Sequence, residues 1–160
     1  MTHLSCETTR TYSTRPGDAD WSRVTERTSG VSVLSAYLHN RQGAIALISP
    51  VVEAATSILE YGEVTEYLRG RTQWQQRQMQ LRELLSQITP YFLAYGMLDR
   101  YAEIRRELRP PHGPGLIGDI DTLIAATAVE CGLTVVTTDG DFQRVPGLQL
   151  MLLARASLRA

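Results

Sequence analysis

The sequence predicts an α/β domain built around a largely parallel sheet, and three observations carry that prediction. Short apolar runs of strand type, with Leu133-Thr-Val-Val-Thr137 the most compact, alternate with longer helical segments. The helical segments place apolar residues at i, i+3 and i+4. Glycine or proline closes three of them, at Gly70, Pro110-Pro111 and Gly132. A chain of 160 residues supplies one sizeable core and hardly two, and 43% hydrophobic with 21% charged residues is globular rather than disordered composition. No run approaches the ~18 consecutive apolar residues of a membrane span, and the first thirty residues hold no apolar core of signal-peptide type. Cys6 and Cys131 are too few and too far apart in sequence for a disulfide framework or a zinc site. A reducing cytoplasm is therefore the expected location, with no membrane partner.

Element by element, residues 1–29 are rich in Thr, Ser, Arg and Asp and read as a poorly ordered leader; in particular 22–29 do not read as a buried strand. Residues 31–38 pass from a β-like start into a helix, and 43–53 read as helix with Pro50 near the end. A short strand is expected over 56–60, then a helix from Gly62 with Val64, Tyr67 and Leu68 on one face. A longer amphipathic helix over 73–87 carries Trp74, Met79, Leu81, Leu84 and Leu85. Residues 88–93 form a second strand and 97–108 a further helix. After the His112-Gly-Pro-Gly115 loop, a helix over 119–131 turns Ile120, Leu123, Ile124, Thr127 and Ala128 inward and stops at Gly132. Strands over 133–137 and 148–153 complete the domain.

The net charge of −1 argues against wholesale coating of nucleic acid, yet the signs are separated. All sixteen basic residues are Arg. Eight of them lie between Arg69 and Arg109 against four acids, whereas 119–141 holds five acids and no basic residue. Arg69, Arg71, Arg77, Arg82, Arg105 and Arg106 are candidates for phosphate contact; the plainer reading of each is a solvated helix face.

Ligands of parallel α/β sheets bind beyond the carboxyl ends of the strands, and five acids fall at such places. Asp139 and Asp141 follow the strand over 133–137, Glu63 follows the strand over 56–60, and Asp119 and Asp121 open the helix over 119–131. Singly each has an ordinary explanation: a helix cap for Asp119, a favourable first-turn charge for Asp121 and Glu63, a turn for Asp139-Gly-Asp141. Together, clustered carboxylates require protonation or a hard cation, and Mg²⁺ or Mn²⁺ suits oxygen ligands. Such ions support phosphodiester hydrolysis. His3, His39 and His112 all fall away from strand ends, so no Ser-His-Asp arrangement is visible.

The segments Gly118-Asp-Ile-Asp-Thr-Leu-Ile-Ala-Ala-Thr-Ala128, Leu133-Thr-Val-Val-Thr-Thr-Asp-Gly-Asp-Phe142 and Val145-Pro-Gly-Leu148 resemble the second half of PIN-domain ribonucleases, most nearly the VapC toxins of bacterial toxin–antitoxin pairs. Ser57-Ile-Leu-Glu-Tyr-Gly-Glu63-Val is similar to that family's second motif, and Ser32-Val-Leu-Ser-Ala-Tyr-Leu38 to the tail of its first. The resemblance implies a PIN-like three-layer α/β/α domain over 30–153 with a central, mostly parallel sheet, leaving 154–160 as a C-terminal tail. It implies an endoribonuclease dependent on Mg²⁺ (or Mn²⁺), a tRNA or rRNA substrate, a small antitoxin partner and a homodimer. By motif, Glu63, Asp121 and Asp139 match the family's catalytic and metal-binding acids, with Asp141 and Asp119 as further ligands and Ser32 in support. The first motif departs from the family: its metal-binding Asp aligns with Gly30. The resemblance therefore also admits a catalytically impaired module that binds antitoxin or RNA, or a leader over 1–29 that is not native family sequence. An aspartyl-phosphate phosphatase, suggested by Asp139-Gly-Asp141, is set aside because that motif opens its domain and only nineteen residues follow it here.

Overall fold

A computed structural model of the chain describes residues 24–26, 38, 42–43, 54–86 and 89–158. Among the described residues five strands form one sheet: β1 (Val24–Glu26), β2 (Ala54–Ser57), β3 (Thr89–Tyr91), β4 (Thr134–Thr137) and β5 (Gln149–Leu152). Among the described residues four helices of 12 to 14 residues accompany them: α1 (Ile58–Arg69), α2 (Trp74–Leu85), α3 (Tyr95–Leu108) and α4 (Asp119–Cys131). The strand order is β3-β2-β1-β4-β5, and every pairing is parallel. This is the α/β class with a parallel sheet that the alternation of runs predicts.

The centre of the sheet is the main correction to the sequence reading. Residues 22–29 do not read as a strand, yet Val24–Glu26 lies between β2 and β4, pairing Val24 with Ala54 and Thr134, and Glu26 with Val136. Three residues are too few to show a pattern, and a parallel strand held on both sides draws its stability from neighbouring backbones rather than from its own composition. Two further boundaries move for local reasons. The strand expected over 56–60 ends at Ser57, because the Ser57 side chain accepts from the Leu59 N–H and caps α1, so Glu60 becomes a first-turn helical residue. The expected C-terminal tail holds a short 3₁₀ turn, Arg155–Leu158, whose Leu158 is buried and whose Ser157 backbone lies against Gly43. The helix expected over 43–53 and the run over 31–37 lie outside the described residues, apart from helical Gly43.

Two apolar clusters form the core. One gathers Ile104 and Leu108 of α3, Ile124 and Ala128 of α4, Val135 of β4 and Phe142. The other joins Val64 and Leu68 of α1 to Leu81 and Leu84 of α2, with Leu38. Each fully buried Leu, Ile or Phe side chain contributes about 1.5–3 kcal/mol relative to exposure. Ala125, Ala126 and Ala128 are wholly buried, so α4 meets its neighbours with methyl-sized side chains and α3 packs closely along it. Ile120, read as inward, is 41% exposed, because burial on α4 begins at Thr122. At its end α4 stops as predicted: Gly132 takes φ 63, and the N–H of Leu133 returns to the Ala128 carbonyl at 2.8 Å. Among the described residues no helix is long and apolar enough to cross a membrane.

Candidate active site

The strand order reverses direction between β1 and β4, so the crevice of this sheet lies at the carboxyl ends of those two strands. Asp139 stands two residues past the end of β4. Its position is fixed by a chain of short-range bonds. The Asp139 N–H donates to Thr137 Oγ1 at 3.0 Å, and Asp139 Oδ1 accepts from the Asp141 N–H at 2.9 Å, capping the 3₁₀ turn Gly140–Arg144. Phe142, 0% exposed, plugs that turn into the core. Arg144 then ties the turn outward, with Nη2 2.8 Å from Asp141 Oδ1 and Nη1 donating to the Gly115 carbonyl at 3.4 Å.

Asp121 sits in the first turn of α4, just past Gly118. Gly118 is the N-cap residue and has no side chain to cap with. A Cβ there would stand 2.5 Å from Asp121 Oδ2, so the absence of a side chain leaves room for the carboxylate to fold back over the helix start. Thr122 completes this end by donating from Oγ1 to the Gly118 carbonyl at 2.8 Å. Asp119 is not the cap that its place after Gly118 suggests. It is the first helical residue, ion-paired with Arg105 Nη1 and accepting from the Tyr101 hydroxyl at 3.4 Å, which draws its carboxylate toward α3.

Glu63 occupies the second turn of α1, half-buried, after the strand that ends at Ser57. Glu63 and Asp121 each have a polar partner of their own, and so does Glu60, which is 1% exposed and lies three residues before Glu63. The five predicted acids are thus sorted. Asp119 and Asp141 are held by arginines at the surface, while Glu63, Asp121 and Asp139 stand on the elements that the motifs assign to them. Ser32 and Gly30 lie outside the described residues. Glu26, not considered in the sequence reading, ends the central strand in register with Val136.

A resident divalent ion needs several oxygen donors at one point. The donor chemistry of Glu63, Asp121 and Asp139 suits one, but among the described residues no three His, Cys, Asp or Glu stand close enough to share it. The described residues alone therefore do not form a complete metal centre.

A family model for the PIN domain matches residues 31–148, well over half of the chain. The chain belongs to the PIN domain family. Nucleases are typical of this family, and a divalent metal is its general cofactor. No curated protein matches the chain in sequence. Among solved structures, the PIN domain here is similar to VapBC2 from Rickettsia felis bound to a fragment of its promoter DNA. That likeness has 22% identity and a TM-score of 0.68, covering 81% of this chain and 97% of that one. It is also similar to VapBC-1 from nontypeable Haemophilus influenzae, at 17% identity and TM-score 0.66 over 81% and 97% of the two chains. VapBC-5 from Mycobacterium tuberculosis aligns at 21% identity and TM-score 0.60 over 82% and 98%. These likenesses establish a shared PIN fold.

Proposed function

We propose that the chain is a VapC-type toxin: an endoribonuclease that hydrolyses phosphodiester bonds in tRNA or rRNA and is held in check by a small antitoxin. The observation that carries this reading is the placement of Asp139 and Asp121 in a PIN fold, one just past β4 at the reversal of strand order and the other opening α4. The antitoxin partner is supported by the structural likeness to toxin–antitoxin complexes from three bacteria. A homodimer and a cytoplasmic location belong to the same reading.

In this reading Glu63, Asp121 and Asp139, with Asp141 and Asp119 as further candidates, would offer carboxylates to Mg²⁺ or Mn²⁺, and groups outside the described residues, Ser32 among them, would complete the site. When bound, such an ion stabilises charge on the phosphate and lowers the pKa of a bound water. The chain's own part is positional. Gly118 leaves space for the Asp121 carboxylate, Thr137 and the Asp141 N–H fix Asp139, and Arg105 pairs with Asp119.

A second reading has its own support: Gly30 where the family's first motif has Asp, together with the absence of a three-acid cluster among the described residues. It makes the chain a PIN-like module that binds antitoxin or RNA without cutting. One experiment separates the two. Bulk tRNA and rRNA are incubated with the chain, with Asp121→Asn and with Gly30→Asp, in Mg²⁺ or Mn²⁺. Cleavage by the chain that Asp121→Asn abolishes supports the nuclease. Cleavage by Gly30→Asp alone supports the impaired module, and cleavage that survives Asp121→Asn defeats the site assignment.

A further inference from the structure

We infer that the α1–α2 turn, residues 69–76, is a docking surface for single-stranded RNA, distinct from the acidic site; the inference rests on the nuclease reading for its substrate class. The stretch from Arg69 to Arg82 holds four arginines and no acidic residue. Arg69 lies over the Trp74 ring at 4.1 Å, and Arg71 lies over the Tyr67 ring at 4.8 Å. Residues 69–73 are all exposed, and among the described residues neither Arg69 nor Arg71 has a carboxylate partner. The α2 helix begins from Gln73, at φ 62, with no acid in its first turn, so its positive end adds to the same field.

Three arginines elsewhere are neutralised by carboxylates, and one of them, Arg105, also lies over the Tyr101 ring at 5.7 Å. Arg100 pairs with Glu103 at 2.5 Å, Arg105 with Asp119 and Arg144 with Asp141. At the α1–α2 turn the guanidinium groups are instead set against aromatic rings. There they keep their donors for phosphate and offer further planes for unpaired bases to stack on. The neighbouring Gln75 and Gln76 are exposed and carry amides able to meet base edges. A protein partner is the weaker fit. A stable interface needs roughly 800 Å² on each side around an apolar centre, and 69–76 offers a single apolar side chain, the half-buried Trp74.

The test measures binding of the full chain, in an Asp121→Asn background that removes cleavage, to a labelled single-stranded RNA of mixed sequence across a salt series. Arg69→Gln with Arg71→Gln is expected to weaken binding about tenfold and to reduce the log–log salt slope by about 1.4, at ~0.7 for each phosphate no longer neutralised. Trp74→Ala is expected to weaken binding ~5- to 150-fold, while Trp74→Phe, which keeps a ring, recovers most of it. Arg100→Gln, a paired arginine, leaves affinity and slope unchanged. Equal affinity and slope in the double arginine variant overturn the proposal, as does a turn that loses polyglutamate binding but not RNA binding, which would assign it to an acidic protein. Absence of cleavage by the wild-type chain with this binding pattern intact defeats the nuclease reading and leaves the docking surface standing.

Discussion

The α1–α2 and α3–α4 pairs are built from similar helices and handle charge in opposite ways. In α3–α4 two of the three arginines face carboxylates: Arg100 meets Glu103 and Glu130, and Arg105 meets Asp119 while also lying over the Tyr101 ring. In α1–α2 the arginines face rings and amides. The cores differ in the same sense. The α3–α4 contact is lined by alanines that allow close approach, whereas α1–α2 is joined by Leu68, Leu81 and Leu84. A neutralised, tightly packed pair carries Asp121 and frames the turn that bears Asp139, where carboxylates must be held in place. A pair with bare cations leaves a field directed at solvent.

The largest expected effects test whether the two pairs form one cooperative unit. Leu108 and Leu81 are each 0% exposed, one in each cluster. Leu108→Ala and Leu81→Ala are each expected to cost about 2–5 kcal/mol by urea unfolding. A single transition for both variants means one unit; a separate early transition in Leu81→Ala alone would split the molecule at this comparison.

The next effect sharpens the role of packing near Asp121. Gly118→Ala places a Cβ against the present position of Asp121 Oδ2, so any cleavage activity is expected to fall about ten- to a hundredfold through displacement of the carboxylate. Thermal unfolding is expected to change little, because a single exposed cap position is altered. Equal activity would mean that the Asp121 orientation seen here is not the working one.

A smaller effect addresses the charge contrast itself. Arg105 and Asp119 are a surface pair, with the acid 67% exposed, so Arg105→Gln is expected to cost less than about 1 kcal/mol and to matter less as salt rises. Arg69→Gln removes no ion pair, and its stability should be insensitive to salt. A stronger salt response at Arg69 than at Arg105 would reverse the assignment.

The smallest effect concerns Tyr61, which bridges α1 to α2. The Arg82 guanidinium, with Gln78 and Thr65, holds its hydroxyl below the ordinary value of 10.0 against an opposing effect of burial. A lowered folded pKa stabilises the fold fully above the ordinary value, and that contribution is lost as pH falls through the folded value. Tyr61→Phe should therefore differ from wild type only slightly at neutral pH and more as pH rises toward 10.0. An equal difference at both pH values would exclude the ionised hydroxyl from any part in joining the helices.

Legibility in the sequence follows the range of the forces involved. The helix over 119–131 was readable to the residue, because its apolar spacing and the left-handed glycine at 132 are signals within one or two turns. Asp139 was readable as a strand-end acid because β4 is a compact β-branched run. The fate of Asp119 was not, since a cap and an ion-pair partner look alike until Arg105, fourteen residues earlier, is brought beside it. The arginines of 69–82 were visible as a run, but not as stacks, because Trp74 and Tyr67 read equally well as core.

The sequence by itself determined the α/β class, the helix stops and the PIN motifs, all of which rest on local spacing and backbone preference. The tertiary structure alone decided three things. It placed Val24–Glu26 at the centre of the sheet, divided the acids between surface ion pairs and strand-end positions, and left one group of arginines without carboxylate partners among the described residues. Each depends on groups far apart in the chain: a three-residue strand exists only through the two backbones beside it, and a charge is neutralised only by what folding brings within about 4 Å.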